Sequence, residues 1–208
     1  GPAILGSNPM QIEKLHQRMG QVCLGNPFAK AAIDLASYDL MGKALGVPVY
    51  QLLGGLVHER LPVMWSLGSA PPDENAREAL AKVEEGYRTI GLKLGILPPE
   101  LDLQRVALVR EAVGKDIQIR CDANQGWNVG TAIDTIQRLG EYNVAMIEQP
   151  IPKGNLSGMA QIVNAVNIPV GVDESLSSPQ DALRIIQAGA ADFYSLKTTK
   201  QGGLNPSK

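Results

Sequence analysis

The chain has 208 residues, 44% of them apolar, enough to bury the core of one large domain or of one and a half small ones. Its net charge of −2, with no basic stripe and no run of like charges, argues against nucleic acid and against a membrane surface as partners. Cys23 and Cys121 sit in no metal-type spacing and both read as small core residues. No apolar run reaches the ~18 residues of a membrane span and no signal peptide is visible, so a reducing cytoplasm is the default location.

Residues 1–60 read as helical. Asn8-Pro9 and Asn26-Pro27 each open a helix with proline at its first position. The second helix carries Ile33, Ala36, Leu40 and Ala44 at near-helical spacing and stops at Gly46, where Val47-Pro48 blocks continuation. A short helix or turn over 49–55 ends on Gly54 and Gly55.

From Leu61 the pattern alternates between strand and helix. The first strand covers 61–67, followed by a helix over 73–87 with Ala76, Leu80 and Val83 facing inward. The second strand covers 89–94, with a helix over 100–113. The third ends at Asp122 and leads to a helix over 129–139; the fourth ends at Glu148 and leads to one over 156–166. The fifth ends at Asp173, Ser178-Pro179 starts the next helix, and the sixth strand covers 192–197. Mostly apolar strands recurring about every 25 residues predict a parallel sheet covered by helices. Right-handed crossovers make such a run an open sheet or a (β/α)₈ barrel, and no glycine-rich dinucleotide fingerprint favours the sheet. The expected fold is therefore α/β, a TIM-like (β/α) barrel over 61–208 with its first six strands present, preceded by a helical region over 1–60. Strands seven and eight are lacking and residue 1 is Gly, so the chain reads as a fragment of a longer protein.

The C-terminal ends of barrel strands form the active-site face. They carry Lys93, then Asp122, Glu148 and Asp173, then Lys197. In an eight-stranded barrel, strands two and six are half a turn apart, so the two lysines would face each other across the mouth. A lone Asp at a strand end is more often a cap or turn residue. Three acids on consecutive units, flanked by lysines, reverse that preference. Three carboxylates with room for water and substrate suit Mg²⁺ or Mn²⁺ better than zinc, which prefers the His and Cys that this cluster lacks. Such an ion would neutralise the oxyanion formed when a proton leaves the carbon beside a substrate carboxylate. A lysine near a cation in a partly desolvated mouth gives up its own proton more readily and can act as the general base. Lys200 reads as solvated loop, His16 and His58 as surface, Trp127 as packing, and Trp65 as the better candidate of the two tryptophans for substrate contact.

These residues resemble the muconate-lactonizing-enzyme and mandelate-racemase branch of the enolase superfamily. The segment from Ala31 to Gly55 is similar to that branch's signature, which closes the capping domain, so 1–60 would be the C-terminal helical part of an α+β capping domain. Asp122-Ala-Asn124, Ile147-Glu-Gln-Pro150 and Val172-Asp-Glu174 look like its three metal-ligand motifs, with Asn124, Gln149 and Glu174 beside the ligands. Leu196-Lys197, followed by Gly202-Gly203, looks like the sixth-strand lysine segment and points to the muconate-lactonizing subgroup. Val63-Met-Trp-Ser-Leu67 looks most like the first barrel strand of muconate cycloisomerases. The resemblance implies a Mg²⁺- or Mn²⁺-dependent isomerase acting on a small carboxylate substrate, with Lys93 as acid-base residue and Lys197 as opposing electrophile or second base. A muconate cycloisomerase is the first expectation. The alternatives are a dipeptide epimerase, an N-acylamino-acid racemase or succinylbenzoate synthase, or an inactive truncated barrel. Homo-oligomerisation of the full-length form is implied by the family alone. One departure stands out: the family's Lys-x-Lys on strand two reads Gly91-Leu-Lys93, without the first lysine.

Overall fold

Alternation along six short segments builds one parallel sheet in the computed structural model, which describes all 208 residues. The strands are β1 (Trp65–Leu67), β2 (Thr89–Lys93), β3 (Gln118–Asp122), β4 (Val144–Glu148), β5 (Val170–Val172) and β6 (Phe193–Tyr194), and they lie side by side in sequence order. Every pairing is parallel. A register shift at Ile119/Arg120 against β4 marks a bulge. This is the α/β architecture expected from the strand–helix repeat, a six-stranded part of a barrel.

The helices between the strands start on local signals. Proline opens α4 (Pro72–Glu84), α5 (Pro99–Val113) and α8 (Pro179–Ala188), where its missing N–H costs nothing. Asn128 caps α6 (Val129–Leu139) by accepting from Thr131 N, and Asn155 caps α7 (Leu156–Ala165) by accepting from Gly158 N. Their apolar faces cover one side of the sheet. Ile90, Leu92, Ile119, Cys121, Ile147, Val170 and Val172 are buried there with Val106, Ile136 and Ile162.

Preceding the sheet are α1 (Ile12–Val22), α2 (Pro27–Leu45) and the single turn α3 (Val49–Leu52); following it is the short α9 (Thr198–Gln201). The chain separates into two compact units, Gly1–Leu61 with Leu196–Lys208, and Pro62–Ser195. The barrel segment expected over 61–208 thus supplies 62–195 to the sheet unit, while the last thirteen residues fold onto α2. Buried Asp34 of α2 holds them: its Oδ1 accepts from Leu204 N at 2.6 Å, and its Oδ2 meets His16 Nε2 at 2.6 Å. Gly203 lies so close to Asp34 that a Cβ would not fit. His16 is therefore a partner of a buried acid and not a surface residue; His58 is exposed.

Several local expectations change. Asn8-Pro9 forms a turn, with Asn8 Oδ1 accepting from Met10 N, and α1 begins only at Ile12. On α2 the buried stripe is Ala31, Asp34, Tyr38 and Met41, while Leu40 is exposed, because apolar residues are spread round the helix and their pattern selects no face. On α4 the buried positions are Asn75 and Ala79 and Leu80 is exposed, because Asn75 makes buried hydrogen bonds that no apolar residue could replace. Cys23 is exposed; only Cys121 is a core thiol, and burial pushes its pKa up.

Candidate active site

The face of the sheet away from the helices carries the polar residues. Register sets them side by side: Lys93 is the cross-strand partner of Asp122, and Asp122 of Glu148. Glu148 pairs with Gly171, so Asp173 stands two residues further along, just past the end of β5, with 2% exposure. Lys93 Nζ donates to Asp122 Oδ2 at 2.6 Å, and Asn124 N donates to Asp122 Oδ1 at 2.9 Å. The Lys93 side chain remains 39% exposed.

The turns beyond β3 and β4 hold residues in left-handed backbone conformations. Gln149 (φ 36°) directly follows Glu148, and Asn124 (φ 43°) and Gln125 (φ 68°) follow Asp122 after Ala123. Such positions cost on the order of 1 kcal/mol or more for residues other than glycine and persist only where the surroundings over-determine them. Here they do. Gln149 is fully buried; its Oε1 accepts from Asp173 N (3.0 Å) and Ser175 N (3.1 Å), and its Nε2 donates to Ile151 O (2.9 Å). Its backbone carbonyl accepts from Gln125 N at 2.7 Å. One amide side chain thus links the turns that carry Glu148 and Asp173. Gly95 and Gly126 lie in backbone contact, which lets the loops after β2 and β3 close together where a side chain could not fit.

Asn124 Nδ2 donates to Glu174 Oε1 at 3.3 Å, while Glu174 Oε2 is buried without a hydrogen-bond partner. A buried carboxylate oxygen without a donor calls for a cation nearby. No three His, Cys, Asp or Glu side chains are gathered closely enough to hold an ion as they stand, and the Lys93 ammonium engages Asp122. Donor type and strand position nevertheless fit a hard divalent cation: oxygen acids at three adjacent strand ends, with the orphaned oxygen of Glu174 beside them.

Lys197 is not on the sixth strand. β6 stops at Tyr194, and Lys197 precedes α9 as its N-cap residue, in the segment that clusters with the helical unit. β5 offers only three residues to pair with, so the strand runs out before the lysine. Lys200 belongs to α9. Trp65 turns to the helix side: its Nε1 donates to Glu78 Oε1 at 2.8 Å, Lys82 Nζ lies 4.2 Å from its ring centroid, and Tyr87 meets it edge-on. It is a packing residue, not a substrate contact. Trp127 packs in the core as expected. Gly91 lies on the polar face with the Met64 thioether directly over it.

Sequence reasoning missed Asp34, Asp102 and Arg105, all fully buried. The available signal was an acid or base inside a stripe that helical spacing assigns to the interior, as with Asp102, Arg105, Val106 and Val109 on α5.

Two family models match. "Enolase C-terminal domain-like" covers residues 74–208, and "Mandelate racemase / muconate lactonizing enzyme, N-terminal domain" covers residues 1–54. The chain belongs to the mandelate racemase/muconate lactonizing enzyme family of the enolase superfamily. It is 43% identical over 207 residues to the N-succinyl-L-Arg/Lys racemase of Bacillus cereus, covering 99% of this chain and 56% of that protein. It is 40% identical over 208 residues to muconate cycloisomerase 1 of Rhodococcus opacus, covering 100% of this chain and 56% of that protein. The crystal structure of the dipeptide epimerase of Enterococcus faecalis, complexed with Mg and the dipeptide L-Leu-L-Tyr, superposes with a TM-score of 0.93 at 40% identity, covering 100% of this chain and 58% of that one. The chain spans somewhat over half the length of these relatives. Similarity of this order to a racemase, an epimerase and a cycloisomerase does not single out the muconate-lactonizing subgroup that the sequence reading favoured. No helix is long and apolar enough to cross a membrane.

Proposed function

We propose that the sheet unit carries the proton-transfer half of a metal-dependent racemase or epimerase, acting on the α-carbon of an N-acylated amino acid or a dipeptide. The observation that carries this reading is Lys93, half-exposed at the end of β2 with its Nζ 2.6 Å from Asp122, beside Glu148 in register. Asp122, Glu148 and Asp173 would hold Mg²⁺ or Mn²⁺, with Glu174 and Asn124 behind them. When bound, the ion supplies charge neutralisation for the oxyanion that develops on the substrate carboxylate. Lys93 takes the α-proton from one face of the carbon, and delivers a proton to that same face when the opposite enantiomer reacts; Gln149 keeps the turns bearing Glu148 and Asp173 in place. The similarity to the N-succinyl-L-Arg/Lys racemase and the dipeptide epimerase supports this substrate class.

A second reading, a cycloisomerase of the muconate type, is favoured by the comparable similarity to muconate cycloisomerase 1. Lys197 divides the two. Racemisation requires delivery of a proton to both faces of the α-carbon, so Lys197→Ala should abolish exchange in one substrate enantiomer only. A one-base cycloisomerase keeps its exchange.

The test is incorporation of deuterium from D₂O at the α-carbon of N-succinyl-L-arginine and of L-Leu-L-Tyr, with Mg²⁺ present. Wild type should exchange at least one of them, and Lys93→Ala should lower the rate by about 10²–10⁴-fold. Exchange at the wild-type rate in Lys93→Ala with both enantiomers of that compound would overturn the assignment.

A further inference from the structure

Beneath the Lys93 turn lies a buried ion pair that the proposed chemistry does not use. Arg105 and Asp102, one turn apart on α5, are both fully buried, with Arg105 Nη1 2.9 Å from Asp102 Oδ1. The other donors of the guanidinium go elsewhere. Nη1 also donates to Lys93 O at 2.7 Å, Nη2 to Gly68 O at 2.7 Å, and Nε to Asn75 Oδ1 at 2.8 Å. Asp102 Oδ2 accepts from Gly95 N at 2.7 Å. Burial pushes the Asp102 carboxyl up, against the pull of the Gly95 amide and of Arg105.

Stability alone is a poor reason for such a pair, since desolvating two charges offsets most of their attraction and apolar replacements are often neutral. What the pair does is geometric. Gly68 follows β1, and Lys93 and Gly95 bracket the end of β2, so one planar fork and one carboxylate tie together two strand ends, α4 and α5. From the opposite side, Leu94 N donates to Asp122 O at 2.8 Å. The Lys93–Gly95 turn is thus held at Lys93 O, Leu94 N and Gly95 N.

We infer that Arg105, oriented by Asp102, is a positioning residue that fixes the backbone of Lys93 so that its ammonium meets the substrate α-carbon. This rests on the reading of Lys93 as the acid-base residue. The paired charges add no net charge beside the lysine, so the effect is on placement. Lysine cannot replace arginine here, because a single ammonium cannot reach four acceptors in the directions a guanidinium fork spans.

The test compares Arg105→Lys and the volume-conserving Arg105→Met/Asp102→Leu pair with wild type, in two measurements on the whole chain. The first is amide hydrogen exchange. The clamp predicts that Leu94 and Gly95 exchange at least about tenfold faster while Cys121 and Ile147 keep their protection. Parallel loss at all four amides would reduce the pair to a general strut, and unchanged protection at Leu94 and Gly95 would exclude the clamp; either overturns the inference. The second is α-deuterium incorporation into N-succinyl-L-arginine or L-Leu-L-Tyr. Arg105→Lys should lower kcat on the order of 10²-fold, the scale of an ångström-sized misplacement, with KM changed less than about twofold. A normal kcat in Arg105→Lys overturns the inference. If wild type exchanges neither compound, the proposed function fails on them, and the amide pattern decides the clamp by itself. Arg105→Lys, which keeps a cation for Asp102 but not the fork, decides the comparison by itself if the double variant does not fold.

Discussion

The two faces of the one sheet set stability against chemistry residue by residue. On β4, Ile147 points to the helices with no exposure, and its neighbour Glu148 points to the open face. β3 repeats the contrast with Cys121 and Asp122, and β2 with Leu92 and Lys93. Because side chains alternate along a strand, a short segment can anchor itself on one side and present a titratable group on the other without compromise. The covered face tolerates no loss of volume; the open face tolerates charges that a core would expel.

The largest break in this contrast should come from truncation on the covered side. Ile147→Ala should cost about 2–5 kcal/mol in urea-induced unfolding, whereas Glu148→Gln should stay within about 1 kcal/mol. Equal losses would mean that the open face is also structural core. Next in size is the effect of a cation. Addition of Mg²⁺ at 100 times its dissociation constant should raise stability by about 2.7 kcal/mol over EDTA, since an ion that binds only the folded state shifts the equilibrium by mass action. The Asp122→Asn/Glu148→Gln variant should show no such rise; a rise that persists would place the ion elsewhere.

The smallest effect is expected at Gly91. A Cβ there would meet Met64 Sδ at 2.8 Å and Cε at 2.9 Å, but these atoms end a flexible, 45% exposed side chain that can move aside. Gly91→Lys should therefore change stability by no more than about 1 kcal/mol. A second ammonium two residues from Lys93, on the same face, disfavours the charged form of its neighbour. The limb of the pH–rate profile governed by Lys93 should move to lower pH, and an unmoved limb would show that the two positions do not interact.

Much of the frame was legible from local chemistry. The start of α8 was read from Ser178-Pro179, where Ser178 caps through its own side chain and Pro179 removes an N–H that has no partner there; Pro72, Pro99, Asn128 and Asn155 act in the same way on their helices. The three strand-end acids were legible because each closes an apolar run at a similar interval, a pattern that needs no knowledge of distant residues. Gly91 stood out in the same way, as a residue type out of place in a motif.

Other features depended on partners far along the chain. Arg105 is buried only because Gly68, Asn75 and Lys93 bring acceptors to it, and Asp34 only because Leu204 brings a donor across 170 residues. The face that α2 buries, the departure of Lys197 from the strand and the turning of Trp65 toward Glu78 were settled in the same manner. Sequence by itself determined the alternating order of strands and helices from residue 61 on and placed the acids at or just past the strand ends, because those follow from periodicity within a few residues. Only the tertiary structure decided which charged side chains enter the interior, because burying a charge is favourable only when several partners from separate segments arrive together.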